Sequence, residues 1–137
     1  LSQNRLANAC QDISDGLKAT INQMSAASGK HFTIFSNKLP IDDITTRLAN
    51  FLNVSSVQIA LSASVDFELL FTIPASNYDL CTSLFQENGC SYTIIGEVNF
   101  LGKNILSSES CEIEDLPGVA WDQQNRDFLE DIIGSRV

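Results

Sequence analysis

The chain contains one histidine, one methionine and one tryptophan among its 137 residues. With His31 as the single histidine, no Ser/His/Asp arrangement is expected, and it forms no zinc-like spacing with the cysteines. The four cysteines, Cys10, Cys81, Cys90 and Cys111, include no CxxC pair. Buried free thiols and a cytoplasmic setting are therefore expected, with a single Cys81–Cys90 disulfide as the alternative. No glycine-rich phosphate loop is present. Basic residues are few and unclustered, 8 against 17 acids for a net charge of −9. Such a chain is ill suited to grip nucleic acid or an anionic membrane. No apolar run has the length of a transmembrane span, and the amino end lacks a charged-then-apolar leader pattern. Only seven glycines and three prolines accompany 44% hydrophobic residues, which excludes disorder and leaves one domain with a substantial core. The chain opens at Leu1 and its only methionine is Met24. A removed leader or tag, or a longer parent polypeptide, is expected.

What the sequence does contain is an alternation of strand and helix patterns. Ala9 to Ile13 reads as a short strand. From Ser14 a helical period takes over, with Ile13, Leu17, Ile21 and Met24 on one face and Ser28-Gly29 as its stop. His31 to Phe35 reads as a strand. A helix capped by Asp42 or Asp43 follows, with Ile44, Leu48, Phe51 and Leu52 as its apolar face, and then a shorter helix from Ser55-Ser56 to Leu61. Asp66 to Ile73 is the most strand-like run and stops at Pro74. A helix capped by Ser76 or Asn77 turns Leu80, Leu84 and Phe85 inward and closes at Asn88-Gly89. Strands are expected over Ser91–Val98 and Asn104–Leu106. A final helix is expected from Asp122, with Phe128, Leu129, Ile132 and Ile133 as its stripe. This order predicts an α+β (α/β layered) domain, a mixed β-sheet with packed helices, spanning residues 1–137 as a single domain.

The candidate chemistry lies near the front, in Asp12-Ile13-Ser14-Asp15-Gly16-Leu17. Two carboxylates bracket a hydroxyl where a strand gives way to a helix, with Asp12 and Ser14 expected in the turn and Asp15 in the first helical turn. Asp and Ser are preferred helix caps, and acids there complement the helix dipole. One cap, however, needs one such side chain. Two carboxylates and a hydroxyl held together also suit a hard divalent cation that keeps oxygen ligands and bridges to phosphate. The pattern leaves both readings open. Elsewhere the plain readings prevail: His31 as a surface or edge residue, Asp42-Asp43 as a cap, Glu112, Glu114 and Asp115 as a solvated acidic loop, and Asp66 and Glu68 alternating along one strand face.

Taken together, the segments resemble the carboxy-terminal domain of thiamine-monophosphate kinase, in the superfamily of aminoimidazole ribonucleotide synthetase. The resemblance is carried by Asp12 to Leu17, Ala26-Ala27-Ser28-Gly29, Leu39-Pro40, Ala60-Leu61-Ser62, Asp66-Phe67-Glu68-Leu69-Leu70-Phe71-Thr72-Ile73-Pro74 and Ile95-Gly96-Glu97-Val98. It implies phosphoryl transfer from ATP to thiamine monophosphate, giving thiamine diphosphate, with Mg2+. It further implies Asp12 and Asp15 as metal ligands, Ser14 as an ATP contact, and Val65 and Trp121 at the positions facing the acceptor substrate. The nucleotide site of this family lies between two domains, so the resemblance also implies an amino-terminal ATP-binding domain that these residues do not include. A homodimeric, cytoplasmic full-length protein and an inactive isolated domain follow from it.

Two segments depart from the family pattern. Ser62-Ala63-Ser64-Val65-Asp66 stands where Ser-Gly-Gly-Glu-Asp is usual, and Trp121-Asp122-Gln123-Gln124 where the ending is usually aromatic-Asp-His-Phe. Two rival readings answer to these departures: a non-catalytic descendant that binds a nucleotide or a protein, and a sister kinase or synthetase with a different acceptor.

Overall fold

The computed structural model describes residues 5–62, 64, 67–108 and 112–118. Val65, Asp66, Cys111, Trp121 and the helix expected from Asp122 lie outside the described residues. Two sheets organise the rest. Strands β1 (Ala9–Asp12) and β3 (Leu69–Thr72) pair antiparallel, Ala9 opposite Thr72 and Asp12 opposite Leu69. The second sheet has the order β4 (Gly96–Asn99), β2 (His31–Phe35), β5 (Ile105–Ser107), β6 (Ile113–Asp115). Only the β2–β5 pairing in it is parallel. The helices are α1 (Leu17–Ser28), α2 (Asp43–Leu52), α3 (Ser56–Leu61) and α4 (Tyr78–Glu87), with single 310 turns at Ser36–Lys38 and Ala75–Asn77. The α+β layered architecture read from the sequence is the one observed.

The core forms where α1 meets the second sheet. Leu17, Ile21 and Met24 come from α1, Phe32 and Ile34 from β2, Leu61 from α3 and Leu106 from β5, and all are buried together. The 3.6-residue period of α1 and the β-branched and aromatic content of β2 are what make those faces apolar. Gly29 ends α1 in the left-handed conformation, its N–H donating to the Ser25 carbonyl. Asp42 caps α2, its carboxylate accepting from the Thr45 amide at 2.6 Å, and that bond holds its pKa below the ordinary value of 3.8. The ring stack Phe71–Phe85–Tyr92, with centroids 5.7 and 4.9 Å apart, joins β3, α4 and the segment leading to β4.

Several expectations are corrected. The apolar stripe of α2 faces solvent: Ile44 is 76%, Leu48 46% and Phe51 87% exposed, while the residue α2 buries is Ala49. Leu80 on α4 likewise points outward, and Cys81 is the residue that α4 buries. Strands β3 and β4 are four residues each, shorter than the apolar runs containing them, because pairing partners rather than composition set their ends. Ile113–Asp115 is an exposed edge strand and not a loop, with Asp115 bonded to Lys103 at 2.7 Å. The Lys103 ammonium, by bonding and by charge, draws the Asp115 carboxyl below its ordinary value. Cys81 is buried, but Cys10 and Cys90 are exposed, and all three are free thiols. Among the described residues no helix is long and apolar enough to cross a membrane.

Candidate functional site at the β1–α1 turn

Asp12 is the last residue of β1, and the ladder with β3 continues one step past it. The Ile13 amide donates to the Glu68 carbonyl at 2.8 Å, and the Phe67 amide donates to the Ile13 carbonyl at 3.1 Å. Ile13 then drops into the core. Ser14 and Asp15 form the bend that follows, both half-buried, while Asp12 is exposed. Asp12 thus sits on the strand and Asp15 in the bend, each one element earlier than the sequence period suggested. The displaced helix start has a cause at Gly16. This residue is buried with φ 95° and ψ 156°, a conformation essentially reserved for glycine, and α1 begins only after it.

Thr20 secures this junction. It is 2% exposed, on the inner side of α1. Its hydroxyl donates to the Gly16 carbonyl at 3.1 Å and lies 3.4 Å from the Asp12 carbonyl, while its amide donates to Gly16 at 3.1 Å. One side chain therefore ties the end of β1 to the start of α1. The sequence reading passed over Thr20, yet a hydroxyl four residues past a glycine on an otherwise apolar helix face was a usable signal.

The structure bears on the capping reading of the acidic pair. Gly16 is the N-cap of α1 and provides no side-chain cap, and no acid lies in the first turn. Capping therefore does not account for Asp12, Ser14 or Asp15. Among the described residues, no lysine or arginine lies within ion-pair distance of either carboxylate, the ion pair present being Lys103–Asp115. Lys18, the nearest base in sequence, donates instead to the Gly118 carbonyl at 2.7 Å. What remains among the described residues is one carboxylate at the end of β1 and a carboxylate and a hydroxyl in the bend that follows, beside the N-terminus of α1. Oxygen donors of this type suit a hard dication. They are too few to enclose one: among the described residues no group of three or more acidic, histidine or cysteine side chains could hold a metal. Any dication there must draw its other ligands from water, from phosphate or from another domain.

The sequence pattern of the AIR synthase related protein, C-terminal domain, matches residues 1–106. The chain belongs to that family. A thiamine-monophosphate kinase of Pyrococcus abyssi is 32% identical over 117 residues, 85% of this chain and 34% of the relative. The chain thus spans about a third of the length of the curated relatives it matches. A solved structure of AaThiL complexed with AMPPCP and TMP superposes over 87% of this chain and 34% of its own, with TM-score 0.66 and 26% identity. The E. coli hydrogenase maturation protein HypE superposes over 85% of this chain and 38% of its own with TM-score 0.71. At 19% identity that likeness shows the family fold alone. The β1–α1 turn lies within the matched residues, whereas Trp121 lies beyond residue 106, where the family pattern ends.

Proposed function

We propose that this chain is the carboxy-terminal domain of an ATP-dependent thiamine-monophosphate kinase, which makes thiamine diphosphate in the cytoplasm and works as part of a longer, homodimeric protein. The observation that carries the reading is the β1–α1 turn, whose acids are released from capping by Gly16. The curated relatives named thiamine-monophosphate kinase and the AaThiL complex with AMPPCP and TMP support the same substrates.

In this reading Asp12 and Asp15 are ligands to Mg2+, and Ser14 is a hydrogen-bond donor to ATP. The dication, when bound, neutralises the oxygens of the triphosphate during transfer. The residues of this chain do the positioning. Asp12 holds its carboxylate at the end of a paired strand, and Thr20 fixes the bend that carries Ser14 and Asp15. The amides at the α1 N-terminus, to which Gly16 offers no side-chain cap, are donors for a phosphate oxygen. Val65 and Trp121 are assigned to the acceptor side from the family pattern alone. An amino-terminal ATP-binding domain supplies the remaining metal ligands, so residues 1–137 by themselves turn over no substrate.

The test is steady-state kinetics of the full-length protein with ATP, Mg2+ and thiamine monophosphate. Asp12→Asn and Asp15→Asn should each lower kcat/KM at least about tenfold, equivalent to about 1.4 kcal/mol of transition-state stabilisation, without lowering the melting temperature. Unchanged kinetics in both variants would remove the metal assignment. Mg2+-dependent consumption of ATP with a different acceptor, and none with thiamine monophosphate, would favour a sister enzyme, the reading suggested by Val65.

A further inference from the structure

Opposite the acidic turn, the chain entering β3 carries an irregular residue. Phe67 has a φ of 54°, in the left-handed region that a bulky side chain rarely adopts. Its amide donates to the Ile13 carbonyl at 3.1 Å, while the Ile13 amide donates to the Glu68 carbonyl at 2.8 Å. Two residues of one strand thus face one of the other, the arrangement of a β-bulge whose left-handed first residue is ordinarily glycine. Asn53 shares a positive φ, but it ends α2 and is of a residue type that tolerates it. Burial does not compensate Phe67, which is 76% exposed. Strain without compensating burial is typical of ligand-binding sites.

The next residue but one continues an apolar shelf. Leu69 lies directly opposite Asp12, so the two side chains share one face of the β1–β3 ribbon, and Leu69 is 61% exposed. Cys10 and Phe71 are the next pair on that face, where Phe71 stacks on Phe85 of α4. Gln11 faces the other way and bonds to Gln23 of α1. The face with Asp12 is therefore turned from α1, with α4 over one end and Phe67 beyond the other. Resting on the kinase reading, we propose that Phe67 and Leu69 hold the acceptor, the ring of Phe67 presenting its π face to the thiazolium cation of thiamine monophosphate. A two-carbon chain joins that ring to its phosphate, whereas two phosphates and a ribose separate the transferred phosphate of ATP from adenine. A phosphate held at Asp12 and Asp15 thus brings the thiazolium, and not adenine, to the residues paired with Asp12 and Ile13. An aromatic face attracts a cation, and a chain of net charge −9 favours one.

Steady-state kinetics and thermal melting of the full-length protein test this with Phe67→Gly, Phe67→Leu and Phe67→Tyr. Phe67→Gly relieves the backbone and removes little buried surface, so it should melt at or above the wild-type temperature. Its KM for thiamine monophosphate should rise about tenfold, while its KM for ATP stays within about twofold of wild type. Phe67→Leu, apolar but without a π face, should share the raised KM, and Phe67→Tyr should restore it. A wild-type KM for thiamine monophosphate in Phe67→Gly or Phe67→Leu would overturn the proposal while leaving the kinase reading intact. So would a KM for ATP that rises in step, or a Phe67→Gly protein that melts well below wild type. A wild-type protein that phosphorylates no thiamine monophosphate would overturn the kinase reading itself, and this contact with it.

Discussion

Replacing Gly16 by alanine should destabilise the domain through the backbone alone. At φ 95° and ψ 156° Gly16 occupies a region that L-residues avoid, and holding one there costs about 1–3 kcal/mol. The junction has little freedom to relax. The Gly16 carbonyl is gripped by both the amide and the hydroxyl of Thr20, and the ladder holds Ile13 on its other side. For a chain of this length each kcal/mol lowers the melting temperature by about 3–4 °C, so a fall of about 3–12 °C is expected. Far-UV circular dichroism during thermal unfolding measures it, with urea unfolding at 25 °C as an independent reading of the same free energy. Under the proposed kinase function, the variant in the full-length protein should also raise the Mg2+ concentration required for half-maximal rate, because Ser14 and Asp15 lean on the same bend. A Gly16→Ala protein melting within about one degree of wild type would show that the turn does not need this conformation, and the account of why α1 starts late would fail with it.

Other substitutions probe separate parts of the argument. Leu61→Ala, at a fully buried position in the core cluster, should cost about 2–5 kcal/mol in chemical denaturation. Thr20→Val keeps the shape but loses the hydroxyl bond to Gly16, and should cost about 0.5–1.5 kcal/mol; under the proposed kinase function the relative effect on Mg2+-dependent turnover should be larger than that on stability. Gly96→Ala would place a methyl 2.2 Å from the Thr33 carbonyl on the neighbouring strand; the strain should cost about 1–3 kcal/mol and accelerate amide exchange along β2 and β4. The lowered pKa of Asp42 gives a signed pH effect. Its contribution is complete above the unfolded value of 3.8 and disappears as pH falls through the lower folded value, so Asp42→Ala should weaken the domain at neutral pH and bring its stability close to wild type in strong acid.

Sequence pattern located the elements well where local chemistry alone defines them. Gly29, Asp42 and the His31–Phe35 run mark a helix end, a helix start and a strand through their own backbone preferences, and each stands where expected. Pattern misled where a partner decides the outcome. The period of Ile44, Leu48 and Phe51 reveals a stripe but not its direction, and the packing of Ala49 turned it outward. Acidic residues at 112–115 read as solvated, which they are, yet pairing with β5 makes 113–115 a strand. At the candidate site the carboxylates were legible as a surplus. What released them from capping was the positive φ of Gly16, which no composition rule announces.

The position of β2 has a consequence for biosynthesis. Its two neighbours in the sheet both come from far downstream, Ile34 meeting Gly96 on one side and Thr33 meeting Ile105 on the other. On a ribosome adding about 5–20 residues per second, roughly 4–14 s separate the emergence of β2 from that of the last strand it needs. Through that interval the segment His31–Phe35 has both edges bare and an apolar face not yet covered by the whole of its core cluster. The nascent chain is then a natural client for a chaperone, and slowing translation downstream of this strand should lower the soluble yield of the protein more than slowing it upstream.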